Sequence, residues 1–209
     1  MQKNITVSII IPSRNNARKE NIDKLLDDTS SQKIEAHLEI HQIQGISPAG
    51  RARNIGAEKA TGEILVFIDD DIRITDENAL ARLIQPLLDN ESIGATFSSL
   101  LIPLDSSSFQ RRYAKEIPRC EILEVDKLEE SGAMSTHFCA IRRKLFFEIG
   151  RFNENLKRGI DPEFSYRLKN SGYRLVLAPE TLCYHPVPRN VSELIRLQFR
   201  NGQNSAFAD

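Results

Sequence analysis

Three adjacent carboxylates, Asp69, Asp70 and Asp71, are the side chains best placed for chemistry, because they directly follow EILVFI at 63–68, whose last five residues are apolar. Neighbouring carboxylates repel one another and tend to take up protons unless a cation compensates them. On an extended segment Asp69 and Asp71 share a face while Asp70 points away. Two such hard oxygen ligands predict a Mg²⁺ or Mn²⁺ site that a diphosphate completes.

Two alternatives to a metal site stay open for the acidic triplet. The three residues also fit a solvated loop or a helix N-cap cluster, helped by Thr75 and Asp76. Phosphatases of the haloacid dehalogenase type likewise place DxDx[T/V] after a hydrophobic strand. Arg73 stands at the fifth position here, and the strand is not the first of the chain, so the phosphatase pattern is disfavoured.

The elements that position the triplet are strands alternating with helices. The runs at 5–11 and 63–68 predict strands buried on both faces, and the leucines and isoleucine at 80–88 repeat at helical spacing. This alternation predicts an α/β fold with a mainly parallel, Rossmann-like sheet, whose ligands bind beyond the carboxyl ends of its strands. A helix from Pro48 to residue 60 has a small-residue face that permits close packing on the sheet: Ala49, Ala52, Ile55, Gly56, Ala60.

The second half of the chain has a less regular pattern. Residues 103–134 are polar and charged, with a helical-looking stretch at 127–130. Strands are predicted at 138–141 and at 173–177 before Pro179, with a helix at 162–170 between them. We therefore expect one domain over 1–189, divided at residue 102 into two halves, and an amphipathic helical tail over 190–209.

Composition excludes several classes of protein. The 28 Lys and Arg residues nearly balance the 29 Asp and Glu residues, so no basic field indicates nucleic acid as a partner. Three distant cysteines form neither a disulfide framework nor a metal knuckle, which indicates a reducing cytoplasm. No signal peptide and no bilayer-spanning apolar run is evident, so the expected location is cytoplasmic.

Three motifs together resemble glycosyltransferase family 2. The string GRARNIGAEKATGE at 50–63, followed by ILVFIDDD at 64–71, is similar to the pattern GxxxARNxGxxxAxGExxxFxDxD, which joins a donor-site helix to metal-binding aspartates. The pieces IRR at 141–143, IGRFNE at 149–154, DPEF at 161–164 and GYR at 172–174 resemble the second region of the family. The opening SIIIPSRN at 8–15 agrees as well.

The resemblance implies a GT-A fold, a nucleoside-diphosphate sugar donor, a divalent cation (Mn²⁺ or Mg²⁺), a glycan or lipid-linked acceptor, and inversion at the sugar carbon. It also implies that residues 1–102 form the nucleotide-sugar-binding half of the domain and residues 103–189 the acceptor-binding half. It implies metal ligation by Asp69, Asp71 and His185, although a lone histidine in a loop also fits a structural role. The expected substrate-binding residues are Pro12, Arg14, Arg51, Arg53, Asn54, Asp69, Asp70 and Arg142. One of the two helix arginines, Arg51 or Arg53, also fits the polar face of its helix.

By the same resemblance, Asp161 is expected to be the general base that takes the acceptor proton. An N-cap of the helix beginning at Pro162 is its alternative role, and the two roles can coexist. Two departures from the family keep other functions open: Ile160 replaces an acidic residue, and QIQGIS at 42–47 replaces a base-binding Asp-Gly-Ser stretch. A non-catalytic sugar-nucleotide-binding scaffold is the first alternative, and a nucleotidyltransferase is the second, although no glycine-rich loop with a lysine supports it.

The tail carries apolar residues at helical spacing, Val191, Leu194 and Ile195 among them, with Arg196 beside them. Such a stripe fits peripheral contact with the inner face of a membrane, where lipid-linked acceptors reside. It also fits packing on the domain itself or on a partner subunit, so a homo-oligomer stays open.

Overall fold

The computed structural model describes residues 5–13, 19–117 and 120–205, with the backbone alone for 200–205. Seven strands form one sheet: β1 (Ile5–Ser13), β2 (Ala36–Gln44), β3 (Ile64–Ile68), β4 (Ile93–Leu101), β5 (Glu129–Glu130), β6 (Phe138–Arg142) and β7 (Arg174–Tyr184). Seven helices accompany it: α1 (Lys19–Ser30), α2 (Ala49–Lys59), α3 (Ala79–Asp89), α4 (Ser108–Glu116), α5 (Arg143–Glu148), α6 (Ile160–Asn170) and α7 (Val191–Ser205).

The sheet has the strand order β2-β1-β3-β6-β4-β7-β5. β1 pairs in parallel with β2 and β3, and β4 pairs in parallel with β7, whereas β6 and β5 run antiparallel to their neighbours. Five of the seven strands therefore run the same way, which confirms the predicted α/β fold with a mainly parallel sheet. Because β6 is reversed, its first residue lies at the same sheet edge as the carboxyl end of β3.

Side-chain alternation divides the core between the two faces of the sheet. Val7, Ile9 and Ile11 of β1 pack in one cluster with α1 and α3, while Ile10 belongs to the other cluster with α2, α5 and α6. The predicted close packing of α2 is confirmed at Gly56, where an added Cβ atom would collide with Cγ2 of Ile10.

The 103–134 segment differs from its prediction. The stretch expected to be helical at 127–130 instead contributes Glu129–Glu130 as an edge strand paired with β7. The helix of this region is α4, whose start carries a capping box formed by Ser107 and Gln110. Tertiary pairing thus overrides the helix propensity of a short charged run.

β7 also differs, because it continues through Pro179 to Tyr184. Its pairing with β4 shifts register between Phe97 and Ser99, and Pro179 lies in the resulting irregular stretch. Proline has no N–H to donate and is tolerated where a ladder is interrupted. His185 therefore follows a sheet strand directly instead of lying in a long loop.

α7 lies within the 190–209 stretch for which an amphipathic helical tail is expected. Val191, Ile195 and Phe199 are more than half exposed along one side of this helix, and Leu194 is partly buried. Across residues 5–13, 19–117 and 120–205, none of the helices combines the length and apolarity needed to cross a bilayer.

Candidate active site

A cleft of about 1130 Å³ opens at the sheet edge where the parallel strands end. Pro12 and Ser13 close β1 on one side of it, and residues 46–49 lead into α2 beside them. The three aspartates after β3 form the centre, and residues 129–137, residues 157–162 and His185 complete the walls. The cleft therefore lies where an α/β sheet of this topology binds its ligands.

The acidic triplet forms a turn and does not continue β3. The amide of Ile72 donates to the carbonyl of Asp69 at 3.2 Å, and the amide of Asp69 donates to the carbonyl of His137 at 3.0 Å. The alternation expected for an extended segment is therefore wrong, and all three carboxylates line the cleft, with Asp70 buried. Asp69 and Asp71 meet different partners.

Asp69 is engaged by Arg53, whose Nη2 lies 2.5 Å from Asp69 Oδ1. The Arg53 side chain is only 4% exposed, and its guanidinium carbon lies 5.9 Å from the ring centroid of Phe152. Among the residues that the structure describes, no acceptor binds its buried Nε. A buried guanidinium in the cleft wall gives the acidic turn a fixed positive neighbour.

Asp71 faces His185, with 3.4 Å between Asp71 Oδ1 and His185 Nε2. The ring of His185 packs edge to face against His137 at 4.9 Å between centroids, and His137 Nδ1 hydrogen-bonds Ser135. A carboxylate oxygen and an imidazole nitrogen at this separation can both reach one divalent ion at bond lengths of about 2.1 Å. The donor set therefore fits a divalent cation.

This donor set is smaller than the three ligands predicted. Within the described ranges, no group of three His, Cys, Asp or Glu side chains could hold an ion. Of the three predicted ligands, Asp69 is turned toward Arg53, whereas Asp71 and His185 lie close enough together to bind one ion. A two-ligand site suits an ion whose other positions are filled by water or by substrate phosphate.

Asp161 lies on the wall formed by the start of α6. Its two carboxylate oxygens accept hydrogen bonds from Thr136, from the amide at 3.1 Å and from the hydroxyl at 2.8 Å. The alternative N-cap role is wrong: the helix begins at Ile160, and the N-cap is Gly159 with φ 71°, in the left-handed region that glycine tolerates. Asp161 thus presents an oriented carboxylate to the cleft.

A buried thiol lies behind these groups. Burial, and after it the negative charge of Asp161, raises the pKa of Cys139. The buried thiol of Cys139 is therefore poorly suited to act as a thiolate.

Two predicted substrate-binding residues of α2 do not line the cleft. Asn54 is buried and holds the 150–154 segment through the carbonyl and amide of Phe152, at 2.9 and 3.1 Å. Arg51 points to Glu154 at 4.0 Å and is largely exposed. A further predicted residue, Arg14, lies outside the described residues.

The prediction that Arg142 binds substrate is wrong. It pairs with Ile64, the first residue of β3, because β6 runs antiparallel, and so it lies at the sheet edge opposite the cleft. Its guanidinium donates to the carbonyls of Ile93 at 2.6 Å and Asn90 at 2.8 Å, and also to that of Leu87. Arg142 caps the carboxyl end of α3 and does not line the cleft.

Sequence reasoning missed the wall formed by residues 129–137. Thr136 and His137 precede the reversed strand β6, which brings them to the carboxyl end of β3. No local pattern indicates an inserted antiparallel strand, so only the pairing reveals them. Lys157 and Arg158 also line the cleft, and their place just before Asp161 was a usable signal.

The sequence model of glycosyl transferase family 2 matches residues 40–150, more than half of the 209 residues. The glycosyltransferase AglE of Haloferax volcanii is 24% identical over 94% of this chain and 72% of its own length. The pre-mycofactocin glycosyltransferase of Mycobacterium tuberculosis is 28% identical over 86% of this chain, which spans only 42% of that relative.

Solved structures show the fold. The mannosyltransferase PcManGT from Pyrobaculum calidifontis, in complex with GDP-Man and Mn²⁺, superposes with a TM-score of 0.67 at 18% identity. The match covers 97% of this chain and 62% of that structure. The sheet and helices described above therefore have the architecture of a GT-A glycosyltransferase.

Proposed function

The chain belongs to glycosyl transferase family 2, and from this premise we propose that it transfers a sugar from a nucleoside-diphosphate sugar to an acceptor hydroxyl. One observation carries the proposal: a single cleft is lined both by the Asp71–His185 pair and by the oriented carboxylate of Asp161. The first fits a cation and a diphosphate, and the second fits a base facing an acceptor.

Asp71 and His185 would hold the cation. A divalent ion bound there, Mn²⁺ or Mg²⁺, would supply positive charge to balance the charge that develops on a diphosphate leaving group. The structure of PcManGT with GDP-Man and Mn²⁺ supports this choice of chemistry by likeness of fold. Asp69 has a different role in this proposal, because its contact with Arg53 holds that guanidinium at the cleft wall, where it can donate to phosphate oxygens.

Asp161 takes the acceptor proton as the hydroxyl attacks. Thr136 donates to both carboxylate oxygens, so the base is already oriented before the acceptor binds. A base on the acceptor side of the sugar, opposite the diphosphate, gives attack from the far face and therefore inversion.

The experiment is a transfer assay over a panel of nucleotide sugars with Mn²⁺, with Mg²⁺ and with a chelator. We expect transfer that the chelator abolishes, and a fall in kcat by a factor of about 10² to 10⁴ for Asp161→Asn. Asp71→Asn and His185→Ala are expected to weaken Mn²⁺ binding. Asp76→Asn is the matched control, because Asp76 pairs with Arg82 outside the cleft.

Three outcomes would contradict the proposal. Transfer that ignores both the chelator and Asp161→Asn would remove the proposed roles of the cation and the base. Donor binding without transfer to any acceptor would identify a sugar-nucleotide-binding scaffold. The feature that supports this alternative is the buried Ile160, which stands where the family usually has an acidic residue. Release of pyrophosphate would identify a nucleotidyltransferase.

The tail suggests where the acceptor resides. The exposed stripe of α7 formed by Val191, Ile195 and Phe199 supports peripheral contact with a membrane that carries a lipid-linked acceptor. Co-sedimentation with anionic vesicles should fall when all three residues are changed to serine. Equal co-sedimentation of both proteins would exclude this contact.

A further inference from the structure

The acidic turn and the segment before His185 are joined by one isolated bridge between Arg73 and Tyr184. Each residue donates its amide to the carbonyl of the other, at 3.0 Å from Arg73 and 2.9 Å from Tyr184. Asp71 lies two residues before one end of the bridge, and His185 directly follows the other. The bridge therefore determines how the two candidate ligands meet.

Arg73 continues this connection to α1. Its Nε and Nη2 donate to the two oxygens of Asp28, at 2.6 and 2.8 Å, and the amide of Ile74 donates to the same carboxylate at 2.9 Å. The Asp28 side chain is only 11% exposed. A carboxylate with three donors of fixed geometry is a rigid anchor.

The neighbours of Arg73 in the chain direct its side chain toward α1. Ile72 and Ile74 are buried in the core cluster on either side of it, so alternation sends the Arg73 side chain outward to α1. The amide of His185, across the bridge, donates to the carbonyl of Leu101 at 2.9 Å. The segment that carries His185 is thus held by β4, and the segment that carries Asp71 is held by α1. The Arg73–Tyr184 bridge joins the two segments.

We propose that Asp28 and Arg73 are positioning residues that hold Asp71 and His185 at the separation a divalent ion requires. The inference rests on the proposed function, because it assigns the cation to that pair. Neither residue touches the ion: the Asp28–Arg73 contact fixes the bridge, and the bridge fixes the distance between the ligands. Outer contacts of this kind commonly change metal affinity by a factor of about 10 to 100.

The test measures Mn²⁺ binding by calorimetry and, by pulsed EPR, the coupling of bound Mn²⁺ to an imidazole nitrogen. Asp28→Asn removes the charge and keeps the shape, and we expect the Kd for Mn²⁺ to rise about tenfold with a weaker nitrogen coupling. Arg73→Lys keeps the charge but loses the two-pronged contact, and a rise in Kd of about threefold is expected.

Glu77→Gln is the matched control. It breaks the ion pair with Lys33, which joins the segment just after α1 to the segment after Arg73 but lies away from the bridge. We expect this variant to bind Mn²⁺ like the unmodified chain. In a transfer assay, Asp28→Asn should raise the KM for Mn²⁺ and preserve kcat at saturating Mn²⁺, a separation that general destabilisation does not produce.

Two results would overturn the inference in distinguishable ways. Unchanged Mn²⁺ affinity and nitrogen coupling in a folded Asp28→Asn or Arg73→Lys variant would refute the positioning role and leave the proposed function intact. Absence of nitrogen coupling in the unmodified chain would refute ligation by His185, and with it both the cation assignment and this inference.

Discussion

The hydroxyl of Thr136 offers a graded perturbation of the proposed base, because valine preserves its shape and removes one hydrogen bond. The bond from Thr136 Oγ1 to Asp161 Oδ1 is 2.8 Å long. Hydrogen bonds to a charged group contribute about 1.5–3 kcal/mol, and about 1.4 kcal/mol corresponds to a tenfold change in rate. The amide of Thr136 still donates to the other oxygen at 3.1 Å, so we expect kcat to fall by about tenfold.

The assay is steady-state transfer with donor and Mn²⁺ saturating, together with donor Kd from calorimetry. Thr136→Val should lower kcat and leave the donor Kd unchanged, because Thr136 contacts the base and not the Asp71–His185 pair. Thr96→Val is the control. Thr96 is buried outside the cleft, and its hydroxyl donates to the carbonyl of Leu83 at 2.6 Å. It should reduce stability and leave kcat unaltered.

A double-mutant cycle tests whether Thr136 acts through Asp161. Once Asp161→Asn has removed the base, Thr136→Val should have little further effect on kcat. An equal loss of kcat in both backgrounds would show that Thr136 acts through another group, and no loss in either would show that the orientation of Asp161 is unimportant.

Three further predictions concern stability. Gly56→Ala should lower the free energy of unfolding by about 1–3 kcal/mol in denaturant titrations, because its Cβ would collide with Ile10; unchanged stability would contradict the close packing of α2. Arg142→Leu should lower the free energy of unfolding by about 2 kcal/mol, because three carbonyls lose their hydrogen-bond partner, and should leave the Kd for the nucleotide sugar unchanged; weaker nucleotide-sugar binding would return Arg142 to the substrate-binding site. Burial opposes ionisation of Glu39, but hydrogen bonds led by that of Ser8 outweigh it and lower the pKa to about 2. Ionised Glu39 thus stabilises the fold above pH 4.5, and about 1–2 kcal/mol is lost as the pH falls from there toward 2; acid unfolding of Glu39→Gln should lack this loss.

The buried strands and the small-residue helix were readable from sequence because their signals are local. A continuous β-branched run predicts a strand covered on both faces, and β1 and β3 are such strands. The family motifs also located Arg53, Asp71 and Asp161, which line the cleft.

The direction of a strand has no such local signal. The reversal of β6 decided that Arg142 lies at the far edge of the sheet, and that Thr136 and His137 lie in the cleft. Arg142, which the motif predicted to bind substrate, is therefore a structural residue, because antiparallel pairing exchanges the two ends of a strand.

The sequence by itself determined the class of fold, the family and the acidic residues at the end of β3, since each depends on residue types at fixed spacing. Only the tertiary structure decided which carboxylate meets Arg53 and which meets His185. Asp71 and His185 come from segments far apart in the chain, and strand pairing across the sheet, not spacing along the sequence, brings them together.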